Sequence, residues 1–204
     1  MTPFPLSFPP RHTMLSDLNE LGVQVSEKQL MKIGKFAGIL IDSATRVNLL
    51  GPREKNRLWK RHFLESIPFG FLVNIDHGVI DIGSGNGFPG IVLSILGYRM
   101  KLLEPRRKRY LFLNRAVNEL NLENCSVIPL RLEDMDYENE RKQFVARAVA
   151  PPPSLLKMIR KVSGEGSILV CRQSEIYGNC ACENFVELKS PPLDRGGFMV
   201  QYRV

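Results

Sequence analysis

Residues 81 to 90 read DIGSGNGFPG and directly follow the apolar pair Val79-Ile80. The last six letters, GNGFPG, match the G-x-G-x-x-G pattern that binds the pyrophosphate of a dinucleotide. The first seven, DIGSGNG, place an acid two residues before a glycine run, as in proteins that hold S-adenosylmethionine. Either ligand needs glycines, because the cofactor approaches the backbone closely and the turn favours positive φ. The segment therefore predicts a cofactor site that includes Gly83, Gly85, Gly87 and Phe88.

Two acidic residues bear on the choice of cofactor. A dinucleotide pyrophosphate lies at a helix N-terminus against backbone N–H groups, where the carboxylate of Asp81 would repel it. S-adenosylmethionine has no phosphate, and its ammonium group suits Asp81, directly or through water. Glu104 ends the next predicted strand, 21 residues after Gly83, and can accept hydrogen bonds from both ribose hydroxyls. Because dinucleotide sites use an acid there too, only Asp81 favours S-adenosylmethionine over NAD.

Two groups of basic residues are candidates for contact with RNA phosphates. One lies in the segment 53–61, before the predicted sheet, and the other, 106–109, begins a predicted helix. The helix macrodipole disfavours cations at a helix start by roughly 0.3–1 kcal/mol each, and phosphate contacts would offset that cost. We expect His62 to make a structural or RNA-facing hydrogen bond and not to act as a catalytic base. The predicted RNA-binding residues are Arg53, Lys55, Arg57, Lys60, Arg61, His62, Arg106, Arg107, Lys108 and Arg109.

Hydrophobic periodicity predicts the elements that position these groups. Ser26 and Gln29 form a candidate capping box, followed by apolar residues at helical spacing. From Gly78 onward short apolar runs alternate with amphipathic ones, and a turn at 194–197 predicts that the last two strands are antiparallel. The predicted strands are Val79–Ile82, Lys101–Glu104, Ser126–Leu130, Gln143–Val149, Ser167–Cys171, Phe185–Leu188 and Phe198–Arg203, and the predicted helices include Glu54–Ile67, Phe88–Leu96, Arg106–Asn121 and Pro152–Val162.

Alternating strands and helices predict an α/β fold with an open, Rossmann-like sheet. We expect seven strands, mostly parallel, with an antiparallel last strand. At about 100–200 residues per domain, the 204 residues suggest a single domain. We expect a flexible arm over residues 1–13, a helical cap over 14–70 and a domain that contains the sheet over 71–204, the last two packed as one unit. In such sheets the ligand lies at the carboxyl ends of the strands, where the strand order reverses.

Composition narrows the partners and the compartment. The chain has 28 basic and 21 acidic residues and a net charge of +7, which favours a polyanionic partner such as RNA or a ribosome. Its four cysteines lack zinc-site spacing, so we expect no metal, although Cys180-Ala181-Cys182 is a weak hint of one. The start, MTPFPLSFPP, is not that of a signal peptide, and no apolar run approaches the ~20 residues of a membrane span. We expect a cytoplasmic monomer.

The segments DIGSGNGFPG, LLEPRRKRYLFL and ARAVA together resemble the glucose-inhibited division protein B family. Upstream, NLL and RHFLES resemble that family's N-L-T and R-H-x-L-D-S segments. These are bacterial enzymes that methylate guanine N7 in small-subunit ribosomal RNA. The resemblance implies S-adenosylmethionine as donor and a guanine in the 530 loop of 16S RNA as target, in naked RNA, a 30S subunit or an assembly intermediate. By position it places Gly83, Phe88, Leu132, Glu133 and Arg147 in the donor site.

The chain departs from the family pattern at several positions. Ser43-Ala44 stands where the family has a Trp-Asn pair, Leu50 replaces a threonine, and Cys171-Arg172-Gln173 replaces Leu-Lys-Gly. These departures concern RNA contacts more than donor binding. Two alternatives therefore stay open: a methyltransferase for another RNA site, a protein or a small molecule, and a non-catalytic RNA-binding or ribosome-assembly module.

Methyl transfer to N7 requires no general base, because this nitrogen carries a free lone pair in the plane of the ring. The rate would come from alignment of N7, the methyl carbon and sulfur, which is an orientation effect. We therefore predict no catalytic acid or base, and we expect Arg147, at the end of the fourth predicted strand, to position donor or target.

Overall fold

A computed structural model describes residues 8–47, 50–51, 54–176 and 182–204. The strands are β1 (Val79–Ile82), β2 (Met100–Leu103), β3 (Cys125–Ile128), β4 (Gln143–Ala146), β5 (Ile168–Gln173), β6 (Cys182–Leu188) and β7 (Gly197–Arg203). They form one seven-stranded sheet in the order β3-β2-β1-β4-β5-β7-β6. The first five pair in parallel, and β7 lies between β5 and β6, antiparallel to both. The predicted Rossmann-like sheet with an antiparallel last strand is confirmed.

Helices cover both faces of this sheet. The α-helices are α1 (Arg11–Glu20), α2 (Glu27–Val47), α3 (Gly90–Ile95), α4 (Arg107–Glu119) and α5 (Pro152–Ile159). Apolar side chains of α2, α3 and α4 form the core on one face, and those of α5 join the core on the other. Within the described part of the chain, no helix is both long enough and apolar enough to span a bilayer.

The start of α2 has the predicted capping box. The Gln29 backbone N–H donates to Ser26 Oγ at 3.2 Å, and the Ser26 N–H donates to Gln29 Oε1 at 2.8 Å. These reciprocal bonds satisfy two donors that a helix start otherwise leaves unpaired. Behind the box the predicted stripe is buried at Leu30, Ile33 and Leu40, so propensity and packing agree along this helix.

The segment 54–67 is not the single helix that its pattern predicts. It contains a 3-10 turn at Lys55–Arg57 and a π-helix at Leu58–Leu64, and another 3-10 helix follows at Ile67–Leu72. The π-helix bonds each residue to the one five positions away. Leu58 and Phe63 are separated by five positions, as are Trp59 and Leu64, and all four side chains are buried. The wider turn thus brings both pairs to the core side of the helix. In an α-helix, residues five positions apart would point in different directions.

Packed residues occur within the segment that was predicted to be an arm. Helix α1 starts at Arg11, and the buried ring of Phe8 lies 5.5 Å from Trp59 and 5.2 Å from Phe63, centroid to centroid. Part of the expected arm thus packs against the cap, the flexibility of residues 1–13 stays a prediction, and residues 1–7 lie outside the described residues. Trp59 Nε1 donates to Asp17 Oδ2 at 2.8 Å, which ties the π-helix to α1.

The cap and the sheet share one hydrophobic core. The ring of Phe36 in α2 lies 5.6 Å from Phe63 and 5.3 Å from Phe88, and Phe63 and Phe88 are 5.0 Å apart. Phe88 belongs to the glycine-rich segment, so cap residues directly support the candidate cofactor site. The domain boundary between 70 and 71 stays a prediction.

Candidate functional site

The strand register brings four residues of interest to one edge of the sheet. Ile82 of β1 pairs with Leu103 of β2 and with Ala146 of β4, and Ala146 pairs with Cys171 of β5. The neighbours β1 and β4 also form the topological switch point, where ligands bind in sheets of this kind. The residue that follows each of these four paired positions therefore lies at the same edge of the sheet. These residues are Gly83, Glu104, Arg147 and Arg172.

Residues 83–87, here called the glycine loop, need glycine at three positions. Gly83, Gly85 and Gly87 have φ values of +65°, +57° and +92°, a region that strains other residues. A Cβ on Gly87 would stand 2.9 Å from Phe36, inside the core, whereas one on Gly85 would stand 3.6 Å from Arg109 Nη1 at the cavity. Gly85 thus exposes bare backbone toward a ligand, and Gly87 permits close packing on α2.

Asp81 lies at the end of β1, behind the glycine loop, and is 1% exposed. Its Oδ2 accepts a hydrogen bond from the Gly90 N–H at 3.1 Å. Its Oδ1 is buried and has no hydrogen-bond partner among the described residues. Burial raises the pKa of Asp81 to about 7, although hydrogen bonds from Ser84 and Gly90 act in the opposite direction. A cationic partner such as an ammonium group would satisfy the unpaired oxygen and favour the ionised form.

Glu104 braces the glycine loop from the end of β2. Its Oε2 accepts from the Gly85 N–H at 3.0 Å, and its Oε1 accepts from the Arg106 N–H at 2.8 Å. The side chain is 3% exposed. A carboxylate has about four lone-pair sites, so these two bonds leave capacity for the hydroxyls of a ribose.

A cavity of about 420 Å³ opens beside the glycine loop, within the range of about 300–1,000 Å³ that is usual for small-molecule sites. Gly83, Gly85 and Phe88 line one side of it. Asp81 and Glu104 contact the glycine loop but are not among the described residues that line the cavity. The bare backbone of the glycine loop lets a ligand in this cavity approach the main chain closely.

Another part of the cavity wall, here called the arginine side, is a network of ion pairs. Glu65 is 1% exposed, and its Oε2 lies 3.5 Å from Arg147 Nη2 and 3.5 Å from Arg172 Nε. Burial raises the pKa of Glu65, and the arginines, Arg172 first, act in the opposite direction. Arg147 stays charged, although burial lowers its pKa to about 10. The arginine side comprises Glu54, Arg61, Glu65, Arg147, Arg172 and Arg195.

His62 is neutral at pH 7 in this setting. Burial, followed by the charge of Arg147, lowers the pKa of His62 to about 4. Its Nε2 lies 2.6 Å from Glu54 Oε2, and its ring lies 5.2 Å from Phe88. His62 is therefore an uncharged, hydrogen-bonded member of the cavity wall.

The first predicted RNA-binding group is largely engaged within the protein. Arg57 pairs with Asp194, with 3.1 Å between Nε and Oδ1, and Arg61 Nε lies 3.0 Å from Glu54 Oε2. Lys60 is exposed. Arg53 lies outside the described residues, as does the side chain of Lys55.

The second predicted group divides at the cavity rim. Arg106, Arg107 and Lys108 are exposed to solvent at the start of α4, whereas Arg109 lines the cavity. The basic start of α4 is therefore a surface that continues directly into the site.

Two predicted donor-site residues lie elsewhere. Leu132, in a 3-10 turn at Leu132–Asp134, is buried in the core beside α5, and Glu133 is exposed. Neither is among the described residues that line the cavity.

Several cavity residues were not predicted from the sequence. Glu54 and Arg195 carry no motif of their own, Glu65 lies in the RHFLES segment but was given no role, and Arg172 was noted only as a departure from a family pattern. The available signal was the position along the predicted strands, since Arg172 directly follows the fifth and Arg147 lies near the end of the fourth. No group of three metal-ligating side chains occurs within 8–47, 50–51, 54–176 and 182–204, and Cys180 lies outside these ranges.

Solved structures of known class share this fold. A S-adenosylmethionine-dependent methyltransferase from Aquifex aeolicus aligns with a TM-score of 0.56 at 15% identity, over 78% of this chain and 96% of that one. The TYW2 protein of Pyrococcus horikoshii, in complex with MeSAdo, aligns with a TM-score of 0.54 at 13% identity, over 70% of this chain and 62% of that one. The chain thus has the Rossmann-like fold of the S-adenosylmethionine-dependent methyltransferases.

Sequence comparison identifies one family within that class. The model of the rRNA small subunit methyltransferase G family, GidB, matches residues 29–190, and the chain belongs to this family. It is 32% identical over 178 residues to the ribosomal RNA small subunit methyltransferase G of Oenococcus oeni, covering 80% of this chain and 74% of the relative. It is 37% identical over 143 residues to that of Thermobifida fusca, covering 69% and 60%. The sequence resemblance is confirmed.

Proposed function

We propose that this protein transfers a methyl group from S-adenosylmethionine to N7 of a guanine in small-subunit ribosomal RNA. Membership of the GidB family supports the reaction class and the RNA, and the names of the Oenococcus and Thermobifida relatives agree. The atom N7 and the 530 loop rest on the sequence resemblance. The observation that carries the proposal is a single cavity that is lined by both the bare glycine loop and a set of partly buried arginines.

The glycine loop and the two acids behind it would hold the donor. S-adenosylmethionine would supply an electrophilic methyl group, and guanine N7 has a lone pair that needs no deprotonation before it accepts that group. Asp81 would accept hydrogen bonds from the ammonium group through the oxygen that is unpaired within the described chain. Glu104 would accept from the ribose, and Gly85 would let the nucleoside approach the backbone.

The cavity is suited to chemistry without a general base. His62 is neutral, with a pKa of about 4, and is bonded to Glu54, so it holds the wall in place. A positive charge moves to the base during transfer, and nearby guanidinium groups would oppose it. Glu54 and Glu65 offset part of that arginine charge. The protein would then contribute alignment, which is worth several kcal/mol in well-oriented reactions.

The surface at the start of α4 would bind the RNA backbone. Arg106, Arg107 and Lys108 are exposed there, and Arg109 beside them reaches the cavity. Phosphate contacts position a nucleic acid without reading its sequence. This surface would therefore orient the RNA strand while the cavity receives the target base.

Labelled donor and mass spectrometry test this function. Purified protein is incubated with methyl-labelled S-adenosylmethionine and either naked 16S RNA or 30S subunits from cells that lack the gene. Digestion with nucleases and mass spectrometry then locate the label. We expect 7-methylguanosine in the fragment that contains the 530 loop. RNA from parental cells, already modified, is the matched control and should accept no label.

The outcomes test the target atom and RNA site separately from the methyltransferase activity. Label at another atom or fragment would reject N7 or the 530 loop and keep the methyltransferase. Label in neither RNA substrate, with the donor bound, would favour a different substrate or a non-catalytic module.

A further inference from the structure

Glu65 connects three separate parts of the chain at the cavity wall. It follows the π-helix of the cap, and its Oε2 lies 3.5 Å from Arg147, which follows β4, and 3.5 Å from Arg172 in β5. The second oxygen, Oε1, is buried and has no hydrogen-bond partner in the described ranges. One carboxylate therefore serves two guanidinium groups that the sheet register brings side by side.

Each of these guanidinium groups is also anchored by backbone carbonyls. Arg147 Nη2 donates to the Arg61 carbonyl at 2.5 Å, and Arg172 Nη2 donates to the Gly196 carbonyl at 2.8 Å. Arg147 Nη1 is buried and lacks a hydrogen-bond partner among the residues described. The anchors fix the direction of each side chain, and Arg172 Nε likewise has no hydrogen-bond partner among the described residues.

The local charge balance shows why the carboxylate matters. Arg61, Arg147, Arg172 and Arg195 line the same cavity and repel one another, and partial burial strengthens that repulsion. Glu65 is the acid in ion-pair contact with both Arg147 and Arg172. Without its charge, the two guanidinium groups lose their shared attraction, and the repulsion drives them apart.

We propose that Glu65 is a positioning residue, whose carboxylate holds the guanidinium groups of Arg147 and Arg172 in the arrangement that receives the target nucleotide. This inference rests on the proposed function. Glu65 acts through the two arginines and touches neither reactant. Its contribution is therefore to the alignment of bound RNA and not to the affinity for a polyanion.

The variant Glu65→Gln tests this division. It keeps the shape of the side chain and removes one negative charge from a basic wall. We expect RNA to bind with equal or higher affinity, kcat to fall by about tenfold or more, since misplaced groups lose orientation, and the donor affinity to stay within about twofold. A merely structural role would weaken RNA binding, donor binding and turnover together.

A double-mutant cycle tests the contact itself. If Glu65 acts through Arg172, the variant that combines Glu65→Gln with Arg172→Gln should lose much less activity than the product of the two single losses. Glu65→Asp, which keeps the charge on a shorter side chain, should recover part of the turnover lost in Glu65→Gln. The matched control is the exposed i,i+4 pair on α4, Arg115→Gln with Glu119→Gln, which should leave turnover unchanged.

Other outcomes overturn the inference. Normal kcat in Glu65→Gln would remove it and leave the proposed function intact, as would strictly multiplicative losses in the cycle. If Glu65→Gln does not fold, Glu65→Asp and Arg172→Gln still give the test, and full kcat in both would contradict the inference. A wild-type protein that methylates no ribosomal RNA would remove the proposed function and this inference together.

Discussion

The two sides of the cavity are held together by contacts of different range. On the glycine side, Asp81 accepts a hydrogen bond from Gly90, nine residues away, and Glu104 accepts one from Gly85, 19 residues away. These contacts lie within one strand–helix–strand unit. The hydrogen bonds of this side therefore form within β1, α3 and β2, although Phe36 and Phe63 of the cap also pack against Phe88.

On the arginine side, the partners are distant in the chain. Arg147 meets Glu65 across 82 residues, and Arg57 meets Asp194 across 137 residues. This wall forms only when the cap, the central strands and the β6–β7 connection have all come together. We therefore expect local changes on the glycine side to affect the donor, and changes on the arginine side to affect the RNA reaction while the donor still binds.

The largest effect is expected on the glycine side, from Asp81→Asn. The variant removes the charge that would meet the ammonium group, and a lost hydrogen bond to a charged group is worth about 1.5–3 kcal/mol. Calorimetry should show donor affinity reduced roughly 10–100-fold, with RNA affinity unchanged. Unchanged donor affinity would remove Asp81 from the donor site.

The same residue predicts a pH dependence. Because burial raises the pKa of Asp81 to about 7, ionisation must accompany binding of a cation, and donor affinity should rise about tenfold between pH 5.5 and 7. Asp81→Asn should remove that rise.

The stability of the unliganded protein should fall over the pH range in which donor affinity rises. The folded protein holds the Asp81 proton through a range where the unfolded chain has lost it, so the stability contributed by this group is lost as pH rises from about 4 to 7. Asp81→Asn should therefore raise the melting temperature at pH 8 and have little effect at pH 4. The free-energy gain has an upper bound of about 4 kcal/mol.

The next largest effect is expected on stability, from a glycine substitution behind the glycine loop. A Cβ on Gly90 would stand 2.6 Å from Asp81 Oδ2 and would also overlap Leu102, so Gly90→Ala should cost about 1–3 kcal/mol in unfolding free energy. Gly38 in α2 is the matched control, since no described atom lies within 4 Å of its Cβ position. Gly38→Ala should stabilise the protein by about 0.5–1 kcal/mol. Chemical denaturation measures both, and equal effects would contradict the crowding at Gly90.

The basic start of α4 predicts a change in salt dependence. Arg106→Ala combined with Arg107→Ala should weaken RNA binding and reduce the slope of log K against log salt by about 0.7–0.9 for each lost phosphate contact. Donor affinity should stay the same. An unchanged slope would show that these two arginines do not bind phosphate.

The smallest effect is expected from Asp194→Asn, at the outer edge of the arginine side. Asp194 pairs with Arg57 and Arg61, and partly exposed pairs of this kind contribute at most about 1 kcal/mol. Turnover on RNA should fall by no more than about fivefold, with donor affinity unchanged. A large loss of donor affinity would show that the two sides are coupled.

The contrast in range explains what could be predicted from the sequence. Asp81, Glu104 and the glycines were identified because their spacing is local and each follows a strand that the apolar pattern reveals. The sheet class and the antiparallel last strand followed from the same alternation. Gly85, Phe88 and Arg147 line the cavity, and their binding roles stay predictions.

What was missed depends on contacts between distant segments. Glu65 lies in the RHFLES segment, but its contacts could not be predicted because β4 and β5 bring two distant arginines against it. The π-helix was missed because its five-residue spacing looks, over seven residues, like an imperfect α-helix. Arg57 and Arg61 were expected to face RNA because their acidic partner, Asp194, is remote in the chain.

The only tryptophan of the chain gives this protein a built-in optical reporter. The ring of Trp59 is stacked on Phe63, with 6.3 Å between centroids. Phe63 in turn packs against Phe88 beside the glycine loop. The fluorescence of a single indole therefore follows the junction between cap and sheet without any label, and it can record in real time whether ligands tighten or loosen that junction.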